Sequence, residues 1–492
     1  MKKTGVFMRT LCIGAGAALL LTGCKSGAPS ESAGSGAESS VKVKLDPQNP
    51  VSIEIWHYYN GPQKTAFDAL IAEFNETVGL EQGVVVEAFS QGSINELRDK
   101  VVESAEKRVG ANPMPDIFAA YADTAYQVDK MGMVAPLDKY LTKEEIAAYV
   151  PGYIAEGRLD AEGNLKIFPI AKSTEVFMLN ATDWNKFSEA TGAGLDRLAT
   201  IEGVTQVAKA YYEWSGGRSF FGRDAIANYM LIGALQLGEE IFSVEGGRLT
   251  IHNDKEIMRR LWDNLYVPHI NGWFGAYGRF RSDDIKTGSI IALVGSTSGS
   301  AYFPGAVNIN DTESYPIESL VLPAPEFAGG GAYAVQQGAG MVVASSDEKH
   351  EYAAVLFLKW FTETRRNIEF SISSGYLPVK TEANSKALIE SALQSESAST
   401  YAENLKKTLP VAVDMIAGNT MYTSKAFKGG TEARAVLEDS MMNKAKEDLA
   451  AMESLISQGL SRADAVARFD TDENFEAWFS AFDKELREAA AE

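Results

Sequence analysis

Cysteine is nearly absent from this chain. Its two copies, Cys12 and Cys24, stand in the first two dozen residues, and none follows. The body therefore has no disulfide, no zinc–thiolate site, no iron–sulfur cluster and no cysteine nucleophile. Histidine is scarce too: His57, His252, His269 and His350 are the four copies, and they show no metal-ligand spacing. Basic residues are outnumbered, with 46 Lys and Arg against 66 Asp and Glu, for a net charge of −20. Such a balance excludes a nucleic-acid binder that works by neutralising phosphates, and it disfavours broad adhesion to an anionic membrane face. What is present is ordinary for a globular protein: 45% hydrophobic and 23% charged residues, neither a disordered nor a collagen-like composition. At roughly 150 residues per domain, 492 residues make about three domains' worth of chain.

The first residues read as an address. Lys2, Lys3 and Arg9 precede the apolar stretch Leu11–Leu21, which is shorter than the about 20 residues a spanning helix needs and fits a secretory signal. The stretch ends in Leu21-Thr22-Gly23-Cys24, which resembles the lipobox of bacterial lipoproteins. That resemblance implies a lipoprotein signal peptide over residues 1–23, cleavage before Cys24, lipidation of the Cys24 thiol, and residence on the extracytoplasmic face of the cell membrane. Residues 24–50 then form the lipid anchor and a flexible tether, because the Ser, Gly and Ala run from Ser26 to Gly36 has little to bury against its chain entropy.

Beyond the tether, strand and helix patterns alternate. Val51, Ile53 and Ile55 alternate with Ser52 and Glu54, a strand period. Phe67, Leu70, Ile71 and Phe74 share one helical face. Val84–Val86, the helix face of Leu97, Val101, Val102 and Ala105, and the apolar run Ile117–Ala120 complete a βαβαβ order. The fold class expected is α/β, with helices on both faces of the sheet and ligands at the carboxyl ends of the strands. Ile290–Val294 reads as a later strand, Ala353–Phe361 as a later helix, and the chain after Thr431 as strongly helical.

Several local motifs then point one way. Ile55-Trp56-His57 before a polar–aromatic loop, Pro115-Asp116-Ile117-Phe118, Phe168-Pro169-Ile170 with Ser173-Thr174-Glu175-Val176, Ser298-Gly299-Ser300 and Ser374-Gly375-Tyr376-Leu377-Pro378-Val379 occur in order. Together they resemble the extracellular solute-binding lipoproteins of ABC importers, in the carbohydrate-type cluster that includes maltose- and glycerol-phosphate-binding proteins. The resemblance implies a two-lobed periplasmic-binding-protein-like fold with hinge crossovers and a ligand cleft between the lobes. By analogy lobe one covers 51–170 plus 291–340 and lobe two 171–290 plus 341–492, with crossings near Pro169, Leu293 and Gly340.

The same resemblance places ligand contacts at Tyr58, Tyr59 and Asn60; Tyr121 and Asp123; Ser173, Thr174 and Glu175; Phe221 and Arg223; Trp273; Ser298 and Gly299; Tyr333; and Tyr376. These residue types suit a sugar: aromatic rings cover its apolar faces, and polar side chains address its hydroxyls. Core packing is the competing reading for each aromatic, and an ion pair with Asp224 or a nearby acid is the competing reading for Arg223. Glycerol-phosphate binders carry an arginine shortly after a late Leu-Pro pair; alignment on Leu409-Pro410 puts Ile416 there, which favours a neutral oligosaccharide or polyol unless Arg223 or Lys425 compensates.

Other motifs fall away. Thr297 occupies the position that a nucleophile elbow needs as serine, Gly329-Gly330-Gly331 lacks the ending of a phosphate loop, and Asp470 to Glu476 lacks the glycine of a calcium loop. The expectation is a non-enzymatic, monomeric binding protein without metal or cofactor. Its partners would be a sugar-like small-molecule solute, the ABC permease subunits and the membrane through its lipid anchor, with no nucleic acid. The alternatives are a secreted carbohydrate-active enzyme and a binding module serving a sensor or adhesion role.

Overall fold

In the computed structural model, residues 43–160, 162–245, 248–394 and 403–491 are described. The signal segment, Cys24 and most of the expected tether lie outside them. Two four-stranded sheets organise the chain. In the first, Val51–His57 runs parallel to Val84–Ser90 and to Ile117–Ala120, and Gly340–Val343 closes the far edge antiparallel. The alternation of Val51–Ile55 puts Ile53 and Ile55 inside and Ser52 and Glu54 outside. The helix Gly61–Glu76 covers this sheet with Phe67, Leu70, Ile71 and Phe74, all buried. The helix Ile94–Ala105 follows, opened by a Ser93–Glu96 capping box that satisfies two end amides.

The second sheet is mixed. Glu175–Asn180 lies antiparallel to Ser319–Pro323 on one side and to Ala292–Ser296 on the other, and Phe221–Arg223 pairs parallel with Ala292–Ser296. Its strands are apolar on both faces because both are covered. Phe177 and Leu179 join a core with Trp184, Tyr211 and Phe274, while Val176 and Met178 face the other way and join the core of the first sheet. Both sheets belong to one compact unit.

Strand pairing corrects the expected lobe boundaries. Ala292–Ser296 and Ser319–Pro323, expected in lobe one, are hydrogen-bonded into the second sheet. Gly340–Val343, whose residues from Met341 on were expected in lobe two, completes the first. The helices Glu348–Phe361 and Thr364–Ser374 also belong with the first sheet: Phe67 packs edge-on against Phe361 and Phe370 at 5.5 and 6.2 Å between ring centres. An apolar strand such as Ala292–Ser296 carries no mark of its sheet; only its hydrogen-bond partner decides.

Leu293 is accordingly interior to the second sheet and is no crossing. The connections observed are residues 168–173, 336–341 and the Leu377 segment, laced by isolated bridges of Phe168 with Met341, Lys172 with Leu377, and Ser173 with Gln337. The tail is helical as expected, in Gly430–Ser457 and Asp472–Ala489. Asp472 and Glu473 form the first turn of the last helix, capped by Thr471, so the calcium-loop mimic is a helix start. No described helix is long and apolar enough to cross a membrane.

Candidate functional site

A cavity of about 400 Å³ lies between the two sheet systems. Arg98, Tyr121, Asp123 and Glu156 line it from the side of the first sheet. Asn228, Phe242, Tyr422, Lys425, Phe427 and Arg434 line it from the other, and Gln336 and Gln337 come from a connecting segment. Tyr121 directly follows the strand Ile117–Ala120, so the cavity opens where an α/β sheet presents its loops. A second pocket of about 40 Å³ includes Thr174, Glu175, Arg223, Asn228 and Tyr333.

Charge in the cavity is organised by two networks. In the first, Lys172 donates from Nζ to Glu156 Oε2 at 2.5 Å and to the Gly338 carbonyl at 2.7 Å. Gln336 donates to the same Glu156 carboxylate and to the Gly152 carbonyl. A wall of the cavity is thereby tied to two connecting segments. In the second, Glu175 accepts from Arg223 Nη2 at 2.6 Å and from Asn228 Nδ2 at 2.7 Å, and the Asn228 carbonyl oxygen accepts from Arg434 Nη2. Burial raises the Glu175 carboxyl above its ordinary value, against the pull of Arg223. The Arg223 guanidinium also sits 5.1 Å from the Tyr229 ring centre.

Asp123 faces the second side across the cavity. A Cβ placed on Gly430 would lie 2.6 Å from its Oδ1. Burial pushes the Asp123 carboxyl up to about 6; Arg434 opposes this, while Glu432 and Glu156 add to it. Gln336 Oε1, Gln337 Oε1, Thr174 Oγ1 and Arg223 Nε are buried without a hydrogen-bond partner. Buried polar groups are nearly always bonded; the Gln336 and Gln337 atoms belong to residues lining the larger cavity, and the Thr174 and Arg223 atoms to residues lining the smaller pocket.

Beside the cavity lies a cluster of tyrosines. Tyr58 and Tyr376 share a hydrogen bond between hydroxyls at 3.1 Å, and burial raises both phenols, with Tyr121 close enough to add to the effect. Ser298 approaches here too, since a Cβ on Gly375 would lie 3.0 Å from Ser298 Cα.

The expected contacts thus divide. Tyr121 and Asp123 line the larger cavity, and Thr174, Glu175, Arg223 and Tyr333 the smaller pocket. Tyr58, Tyr376 and Ser298 form the adjoining cluster; Gly299 follows in the same turn with open space at its Cα. Ser173 is buried and bridges to Gln337, and Asn60 is exposed at the start of a helix. Three of the expected aromatics pack against the cores. Tyr59 is 1% exposed among His57, Phe67 and Phe370, and Phe221 stacks on Phe177 inside the second core. Trp273 packs on that core under Lys209. Tyr59 and Phe221 fill hydrophobic interiors, whereas Trp273 is half-buried at the edge of its core. Arg223 pairs with Glu175 instead of Asp224. Ile416 packs partly buried against the first core.

Sequence reasoning missed Arg98, Glu156, Asn228, Gln336, Gln337, Tyr422 and Arg434. The Gln336-Gln337 pair, two amides between Val335 and Gly338, was the one local signal. Arg434 sits in a helix rich in charged residues and carried none. Among the described residues no three His, Cys, Asp or Glu side chains converge to hold a metal ion.

Comparison with known proteins follows the same lines. Residues 69–394 match the family model described as bacterial extracellular solute-binding protein. No curated protein matches the chain. Among solved structures, the cyclic alpha-maltosyl-1,6-maltose binding protein from Arthrobacter globiformis is 17% identical with a TM-score of 0.65, covering 89% of this chain and 100% of that one. UgpB from Mycobacterium tuberculosis in complex with glycerophosphocholine is 19% identical with a TM-score of 0.62, covering 90% and 98%. The Thermus thermophilus maltotriose binding protein is 14% identical with a TM-score of 0.58, covering 89% and 99%. At these identities the likeness is one of fold.

Proposed function

Since the chain belongs to the bacterial extracellular solute-binding proteins, we propose that it is the substrate-binding lipoprotein of an ABC importer, anchored through Cys24. It captures a short sugar or related polyol by hinge closure between its lobes and delivers it unchanged to the membrane permease. The observation that carries this reading is the interlobe cavity, about 400 Å³, lined from both sides by aromatic rings and polar side chains, with the Gln336 and Gln337 amides between them. That volume lies near the small end of the roughly 300–1,000 Å³ typical of ligand clefts, which suits one or two sugar rings. The solved relatives bound to maltotriose and glycerophosphocholine support the same class of solute. A hydrolase would need a second free carboxylate beside Asp123; Glu156 is already engaged by Lys172 and Gln336.

The test is a panel of mono- and disaccharides and polyols against tryptophan fluorescence and melting temperature. One sugar class should shift both saturably, and the sugar should be recovered intact. A panel without response overturns the reading, and recovery of altered sugar makes the protein an enzyme. Cys24→Ser should release the protein into the medium; retention on the membrane refutes the anchor.

A further inference from the structure

Arg434 is a cation in the cavity wall that forms no ion pair among the described residues. It is half-buried on the helix Gly430–Ser457. Among the described residues no carboxylate pairs with it, and its side chain is held by the neutral Asn228 amide. Asn228 is itself oriented by the buried Glu175. The guanidinium is therefore fixed in place while most of its donors are left for the cavity it lines. Lys425, on the same side, gives Nζ to the Val244 carbonyl at 3.3 Å and likewise has no acidic partner among the described residues. The other charges in the wall are spoken for: Arg98 pairs with Asp99 at 2.8 Å, and Glu156 with Lys172 at 2.5 Å. Arg434 feels the Asp123 and Glu175 carboxylates across the site but closes no ion pair with either, so its guanidinium and the Lys425 ammonium remain open to an incoming anion.

Arg434 is half-buried and Lys425 exposed, so neither must be paired to be tolerated, but a rigid guanidinium fork fits a carboxylate or phosphate better than a hydroxyl. We propose that the solute is an anionic saccharide, a short sugar carrying one carboxylate or phosphate that seats on Arg434 with Lys425 in support. This rests on the solute-binding reading above and narrows it. It also answers the missing arginine at Ile416, by supplying a cation from a different helix.

The experiment is calorimetric titration of the full chain with glucuronate, digalacturonate and glucose 6-phosphate against glucose, galactose and maltose, at low and high ionic strength. An anionic probe should bind more tightly than its neutral counterparts, and its affinity should fall with salt. The carboxylate and phosphate arms decide which group is read. Arg434→Gln should weaken the anionic probe at least about tenfold more than it weakens the neutral ones, a loss of the size that a hydrogen bond to a charged group carries; Arg434→Lys should retain part of the anion preference. The unliganded melting temperature of each variant reports its folding, and the salt dependence of the unmutated chain needs no variant. A neutral sugar binding as tightly as every anionic probe overturns the proposal and leaves solute binding standing. Failure of all saccharides overturns both. Anion binding that survives Arg434→Gln overturns the role of Arg434.

Discussion

Closure should take up a proton at Asp123. With the lobes together the carboxyl is buried against Gly430 and its ionisation is pushed from the usual 3.8 up to about 6. A cleft opened between these elements would expose it to water and return it towards its ordinary value. At roughly 1.4 kcal/mol per pH unit, the difference is about 3 kcal/mol. A group whose ionisation is raised in one state favours that state fully below its ordinary value. It loses that contribution as pH rises through the raised one. The unliganded protein is thus easiest to close near pH 4, and at pH 7 closure carries about 3 kcal/mol of desolvated carboxylate. The charged groups facing Asp123 are Arg434 and Glu432 from the long helix and Glu156 from Pro151–Gly157, and Glu156 is clamped by Lys172. Small-angle scattering of the unliganded chain should show a falling radius of gyration between pH 7 and 5. Asp123→Asn should be compact across that range. If the variant keeps the pH dependence, the carboxylate is not the linkage site and the reasoning fails.

Two further substitutions probe the frame of the site. Lys172→Met leaves the Glu156 carboxylate buried with Gln336 alone; stability should drop by about 3–5 kcal/mol, the usual loss when one partner of a buried pair is removed. Adding Glu156→Gln should recover most of it in denaturant titrations, and a double variant as unstable as the single one refutes the pairing argument. Gly430→Val would put a Cβ 2.6 Å from Asp123 Oδ1. Ligand affinity should fall at least about tenfold, or about 1.4 kcal/mol, while the unliganded denaturation midpoint holds; unchanged affinity would mean that closure does not bring these elements together.

The first sheet was legible because it is built from local rules. The alternation at Val51–Ile55 and the four-residue stripe Phe67–Phe74 each specify a buried face without reference to the rest of the chain, and the βαβαβ order follows. The lobe boundaries were not legible, because the second sheet is assembled from strands far apart in sequence. Val294 is opposite Phe177 and Arg223, and Leu322 is opposite Phe177 on the other side. Continuous apolar runs of this kind look alike wherever they pair. Aromatic positions were hard to read for a related reason. Tyr59 and Phe221 carry the residue types that a sugar site uses, yet each follows or forms a strand whose neighbours are already buried.

What sequence could least supply is the link between hinge and cavity. Glu175 stands two residues after the crossing segment 168–173, at the first position of its strand. Its two oxygens are shared between Arg223, which belongs to the same sheet, and Asn228, which holds Arg434. Any rotation of the sheet about that crossing carries Glu175 with it, and through Asn228 moves the guanidinium in the cavity wall. Lys172, three residues earlier, ties the same segment to Glu156 on the opposite wall. The crossing thus has one charged contact with each side of the cavity. A solute that bridges Arg434 and the first-sheet wall at Tyr121 would load both contacts at once, so that solute binding and lobe closure are two readings of one geometry.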